Sequence, residues 1–199
     1  ALSAAAARAA AATARHTSVA GGVGGVDHHF EPRRVVGTLD EEHDVAVIVV
    51  GDLGPLQGAD TGLPTGQVAV EQFRKQGNGG KIVNISALAG RWLGSLAGCH
   101  YTAAKAGVIG LTRHLAYELG PEGIYVNAIA PTITLASERT INLWNSRPEE
   151  YREKIVSQIP LRRLSTPEEV AAGVIFLCTD EASYMTGVTL DINGGRFFS

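Results

Sequence analysis

The sequence predicts a doubly wound α/β sheet, and three observations carry that prediction. Short apolar runs lack the polar alternation of a half-exposed strand, helix-length amphipathic segments separate them, and strand and helix follow one another in regular order.

Taken in chain order, residues 44–50 (DVAVIVV) are apolar without alternation after the first, as expected of a strand buried on both faces. A helix is expected near residues 67–76, followed by a strand over 81–86 (KIVNIS). A long helix at about 100–119 leads into a strand over 124–130 (IYVNAIA). Two shorter helices, near 148–158 and 167–177, precede a last strand over 188–192 (VTLDI). The second of them has the best start signal: Thr166 as N-cap, Pro167 at the first helical position, and Glu169 closing a capping box.

A chain of 199 residues, 45% hydrophobic and 19% charged, can bury a substantial core, and one domain over residues 1–199 is the expectation. The net charge of −3 with mixed signs offers no basic stripe for nucleic acid. No apolar run approaches the length of a bilayer span, so a soluble chain without a membrane partner is expected. Cys99 and Cys178 have no CxxC spacing and sit in apolar or small-residue segments, which favours buried thiols in a reducing, cytoplasmic setting over a disulfide. Metal is not expected either: Asp27, His28 and His29 are adjacent, and three adjacent residues rarely converge on one ion.

Residues 1–26 contain no acid, and ten of the first fourteen are alanine. An amphipathic helix is the plain reading; an organellar transit peptide, or alanines standing for unidentified side chains, are the alternatives. The run GGVGGVD (residues 21–27) has no clear strand before it and leads into His28 and His29 rather than a helix, so a flexible loop is favoured over a phosphate cradle.

In doubly wound sheets ligands bind beyond the carboxyl ends of the strands, which directs attention to the loops after Ser86 and Ala130. The first loop leads to CHYTAAKAG (residues 99–107), where the helical period sets Tyr101 and Lys105 one turn apart on one face. An ammonium about 4 Å from a phenol favours the phenolate by roughly 4 kcal/mol at an effective dielectric near 20. A tyrosine so placed can exchange a proton near neutral pH. Small neighbours, Ala103, Ala104, Ala106 and Gly107, let another backbone or a flat ligand approach closely.

From about Gly79 to Gly195 the chain resembles the short-chain dehydrogenases/reductases, through KIVNISALAG, YTAAKAGVIGLTRHLAYELGPEGIYVNAIAP, PLRRLSTPEEVAAGVIFLCTDEASYMTG and LDINGG. The resemblance implies a Rossmann-like single domain, NAD or NADP as cofactor, and reversible hydride transfer between nicotinamide and a carbonyl or alcohol. It makes Tyr101 the general acid/base on the substrate oxygen. Lys105 lowers its pKa and holds the nicotinamide ribose; replacing Lys105 by alanine is expected to leave the fold intact.

Departures from the family pattern matter as much. Its catalytic serine is the second small polar residue after the strand, thirteen before the tyrosine; here Ala87 takes that place and, with one extra residue in the loop, Ser86 stands fifteen before Tyr101. Ser86 is the candidate catalytic serine and Ser95 a lesser substitute; the alternative for Ser86 is a strand-end serine bonding its own loop. Pro-Gly becomes Pro131-Thr132, and Thr134 falls where the family backbone meets the nicotinamide carboxamide; an ordinary polar loop residue is the alternative there. Upstream, DVAVIVVG keeps Asp44, Val47 and Gly51 of the family's Asp-x-x-Val-Asn-Asn-Ala-Gly, which makes Gly51 a cofactor-side residue. The family's glycine-rich turn and asparagine helix are not recognisable. Either the cofactor half has degenerated or loops of it are missing from the sequence; the second is favoured, because a parallel sheet without its first βαβ unit exposes a long edge.

Residues 135–163 are expected to form a lid, with Ile141, Leu143 and Trp144 either a ligand wall or helix core. A homo-dimer or tetramer is expected, packed through Ala103, Ala106, Gly107 and Gly110.

Overall fold

The computed structural model of the chain describes residues 35–36, 45–49, 63–96 and 98–198. Strands β1 (Val35–Val36), β2 (Val45–Val49), β3 (Gly80–Ile85), β4 (Ile124–Pro131) and β5 (Thr189–Ile192) form one sheet in that spatial order. From β2 to β5 every neighbouring pair is parallel, and the short β1 closes the far side antiparallel to β2. Among the described residues six α-helices accompany them: α1 (Leu63–Gln76), α2 (Leu88–Arg91), α3 (Cys99–Leu119), α4 (Glu138–Asn145), α5 (Glu149–Ser157) and α6 (Pro167–Leu177).

The absence of alternation in the strands has its cause in the two covered faces. Ile82, Ile124 and Val126 face a layer in which α1 supplies Ala69, Val70 and Phe73 and α3 supplies Val108, Ala116 and Leu119. Val83 and Ile129 face the other way, onto Val174 and Leu177 of α6. Phe73 is 1% exposed, so truncating it to alanine would cost about 3–5 kcal/mol.

Local chemistry sets the ends of the elements. Gly77, at φ 77°, returns its N–H to the Phe73 carbonyl and stops α1. A Cβ on Gly79 would lie 2.4 Å from the Gly123 carbonyl oxygen, so β3 and β4 begin in contact only because side chains are absent there. The capping box of α6 forms as expected: Thr166 Oγ1 accepts from Glu169 N at 3.3 Å, and Glu169 Oε2 accepts from Thr166 N at 2.9 Å. A second box, Ser137 with Thr140, starts α4.

The expected strands and helices agree with these bounds to within one or two residues, except that α1 begins four residues earlier than residue 67. Of the three apolar residues singled out in residues 135–163, Trp144 is buried and Ile141 exposed. Cys99 corrects the expectation of buried thiols: it is exposed at the first turn of α3, while Cys178 is half-buried and burial pushes its thiol up to about 11. The alanine-rich segment, the GGVGGVD run, Asp27 to His29 and Gly51 lie outside the described residues.

Candidate active site

The site is built where β3 and β4 end and α3 begins. Gly98 caps α3 in an extended conformation, and its carbonyl accepts from the Tyr101 and Thr102 amides, fixing the first turn. From there the helical period carries Lys105, Val108, Ile109 and Thr112 inward, all buried against the sheet. Tyr101 lies one turn before Lys105, half-buried at the open end.

Lys105 is 6% exposed, which demands a polar partner for its ammonium. Its Nζ donates to the Ile85 carbonyl at 3.1 Å and stands 5.6 Å from the centroid of the Tyr101 ring. Ser86, 2% exposed, returns the link: its Oγ donates to the Lys105 carbonyl at 2.8 Å. Two adjacent residues at the end of β3 and one residue of α3 therefore exchange side-chain-to-backbone bonds in both directions. That fixes the rise and rotation of α3 on the strand, and with them the Tyr101 ring. The Ser86 hydroxyl serves the helix here rather than its own loop.

A third device brings the two backbones together. A Cβ on Gly90 of α2 would lie 2.5 Å from the Lys105 carbonyl carbon and 2.8 Å from the Ala106 nitrogen. Only glycine permits that approach. Deeper in the same interface Asn84 Nδ2 donates to Thr112 Oγ1 at 2.9 Å, and Thr112 passes its hydrogen to the Val108 carbonyl at 2.8 Å.

Across the end of β4, Arg91 Nη2 reaches Asp191 Oδ2 of β5 at 3.0 Å, with both side chains about four-fifths buried. Burial pushes the Asp191 carboxyl above its ordinary value, and the Arg91 guanidinium opposes that shift. Pro131 ends β4 opposite Ile192. Thr134 bridges to Ser165, their hydroxyls 2.6 Å apart, so its side chain is committed to the loop before α6. Between them Thr132 Oγ1 is buried with no hydrogen-bond partner among the described residues. Ser95 lies in the loop before α3, where its Oγ meets Arg196 Nη2 at 2.7 Å.

The structure thus brings Ser86, Tyr101 and Lys105 together and sets Pro131 and Thr134 at the end of the neighbouring strand. Sequence reasoning did not foresee Gly90 or the Arg91–Asp191 pair. Spacing carries no signal for either, since each partner lies far off in the chain. Among the described residues no group of His, Cys, Asp and Glu is arranged to hold a metal ion, and no helix is long and apolar enough to cross a membrane.

A parallel sheet with helices on both faces, and a tyrosine and lysine one helical turn apart at its carboxyl end, define a Rossmann-like α/β scaffold. The chain belongs to the short-chain dehydrogenase/reductase family: the family profile described as enoyl-(acyl carrier protein) reductase matches residues 62–196. A 3-oxoacyl-(acyl-carrier-protein) reductase of Aquifex aeolicus is 45% identical over 118 residues, 59% of this chain and 45% of that protein. An acetoacetyl-CoA reductase of Rhizobium meliloti is 42% identical over 126 residues, 60% of this chain and 48% of that protein. The chain therefore spans about half the length of the curated relatives it matches. Among solved structures, a 3-oxoacyl-(acyl-carrier protein) reductase with bound NAD from Brucella melitensis superposes with a TM-score of 0.61 at 30% identity, covering 77% of this chain and 62% of that one.

Proposed function

We propose that the protein is an NAD(P)-dependent oxidoreductase that interconverts a carbonyl and an alcohol. The observation that carries this reading is the pair at the start of α3, with the Lys105 ammonium held by the Ile85 carbonyl beside the Tyr101 ring. Family membership and relatives named as reductases support it.

The residues at the carboxyl end suit a nicotinamide, which supplies or takes up hydride when bound. Lys105 offers a fixed ammonium to ribose hydroxyls, and the unpartnered Thr132 Oγ1 lies in the loop after Pro131, where an amide donor finds an acceptor. Pro131 and Thr134 bound that end; Gly51, the remaining cofactor-side candidate, lies outside the described residues. In reduction, Tyr101 Oη gives its proton to the substrate oxygen as the carbonyl carbon accepts hydride. In oxidation the phenolate takes the proton back, and the Lys105 charge favours that phenolate. Ser86 enters as the residue that holds Lys105, and it reaches substrate only by turning its hydroxyl away from the helix.

The substrate class is a small or medium carbonyl or alcohol, in a cytoplasmic setting. The exposed small residues Ala103, Ala106, Gly107 and Gly110 of α3 suit close packing against a second copy, and light scattering at micromolar concentration checks for a dimer or tetramer.

The test is NADH and NADPH oxidation with a panel of ketones, sugars and 3-oxoacyl thioesters. Tyr101→Phe should lower turnover by about 10²–10⁴-fold with cofactor binding retained. One observation favours a second reading, a silent nucleotide-binding protein: the Ser86 hydroxyl is engaged with Lys105, and Ala87 offers none in its place. Cofactor binding without turnover on any substrate would select it.

A further inference from the structure

We propose that Arg196 is a positioning residue that fixes the substrate-side loop before α3 by tying it to the C-terminal segment and to α5. The proposal rests on the oxidoreductase reading only in its effect on turnover.

Residues 92–96 lie at the carboxyl end of the sheet, where ligands bind in this fold class, and Gly98 begins the turn bearing Tyr101. Contacts from outside the loop hold it at two points. At Ser95, Arg196 Nη2 donates to Oγ at 2.7 Å and also to Gln158 Oε1, just past α5, at 2.8 Å. The Ser95 carbonyl accepts the Tyr151 hydroxyl of α5. At Trp92, the ring stacks on Phe197 with centroids 6.5 Å apart and planes 26° off parallel, while the Arg91 guanidinium sits 5.6 Å from the same Phe197 ring.

The C-terminal segment is itself pinned. Asn193, 4% exposed, accepts from Gly195 N at 2.9 Å and donates to the Phe197 carbonyl at 3.1 Å. Arg196 is therefore presented by a turn whose geometry is set internally, and burial pulls its guanidinium below the ordinary value. A single guanidinium nitrogen, Nη2, joins three chain segments by bonding Ser95 and Gln158 at once. The loop, α5 and the C-terminal segment move as one wall. Loss of this double contact frees the loop while leaving the Lys105 links intact.

The experiment compares the full-length protein with Arg196→Ala, Arg196→Lys and Ser95→Ala. Hydrogen exchange read by mass spectrometry should show residues 92–96 opening about tenfold faster in Arg196→Ala, with β3 and β4 unchanged and Tm within about 2 °C. KM for the carbonyl substrate should rise about tenfold or more, while KM for the reduced cofactor stays at its wild-type value. Arg196→Lys should restore part of the KM, and Ser95→Ala should add little to Arg196→Ala in a double-mutant cycle. Exchange at residues 92–96 left unchanged by Arg196→Ala would overturn the proposal, as would equal rises in both KM values together with a lower Tm. If the wild type bound cofactor but turned nothing over, the oxidoreductase reading would fail; faster local exchange in Arg196→Ala would still support the clamp.

Discussion

The two ends of the sheet differ in how fully their polar contacts are buried. At the amino end Arg74 Nη2 meets Glu122 Oε1 at 2.6 Å with side chains 55% and 35% exposed. Lys81, itself largely buried, reaches the Thr179 carbonyl at 2.8 Å, just past α6, but its acidic partner Asp180, at 3.4 Å, is fully exposed. At the carboxyl end Ser86 and Lys105 are almost wholly buried, and Arg91 and Asp191 largely so. Exposed ion pairs are screened and exchange readily with water, so they shape solubility more than structure. Buried polar groups cost desolvation and persist only when their partners are exactly placed by the fold, so they specify position. The carboxyl end, where the chemistry is proposed, is the end built to hold atoms still.

Substitutions at the two ends can break or sharpen that contrast. The largest effect is expected from Gly90→Ala, because the new methyl meets the Lys105 backbone at 2.5 Å and either α2 or α3 must shift. Chemical denaturation should show a loss of about 3 kcal/mol, and turnover should fall with it. Were Gly90→Ala as stable as the wild type, the carboxyl end would be no more rigid than the amino end.

Next in size is Lys105→Met, which keeps length and apolar volume but leaves the Ile85 carbonyl without its donor. A loss of about 1–3 kcal/mol follows from removing the hydrogen bond and charge at this partly buried carbonyl. Where turnover remains measurable, the optimum for alcohol oxidation should move to higher pH, because the phenolate loses its neighbouring charge.

A smaller change of opposite sign is expected at Arg162, the only described non-glycine residue at positive φ, 56°. Arg162→Gly relieves left-handed strain but gives the unfolded chain more freedom, leaving a net gain of about 0.5 kcal/mol by thermal melt.

The smallest effect belongs to the amino end. The Arg74 hydrogen bond holds the Glu122 carboxyl below its ordinary value. A depressed folded pKa contributes stability that is present above the unfolded value of 4.5 and lost as pH falls through the folded value. Arg74→Ala should therefore leave Tm at pH 7 nearly unchanged and flatten the acid limb of the stability profile only slightly. A shift as large as that of Lys105→Met would erase the difference between the two ends.

How much of this was legible in the sequence depended on how local its cause was. The capping box of α6 needs only Thr166, Pro167 and Glu169, and the strand 124–130 needs only a short run whose one strongly polar residue is Asn127. The Tyr101–Lys105 face follows from a single turn of helix. Ser86 was legible as a candidate but not as a donor to the Lys105 carbonyl, since that bond depends on how α3 lands on β3. Arg196 gave no signal at all: its partners lie 101 and 38 residues away, joined by tertiary contact alone. Trp144 and Cys99 show the limit from the other side, because composition does not reveal which face of a short helix or first turn meets the core.

The backbone contact at Gly90 also divides the connection from β3 to Tyr101 into two stretches of unlike evolvability. Before it, residues 86–91 are gauged between strand and helix, so an added residue would push Lys105 off its carbonyl. Beyond it, residues 92–96 are held by side chains at Trp92 and Ser95, and an added residue can bulge outward between those two anchors. Changes of length should therefore accumulate after Arg91, where they remodel what the site admits, while the distance between the proton donor and the sheet stays as it was.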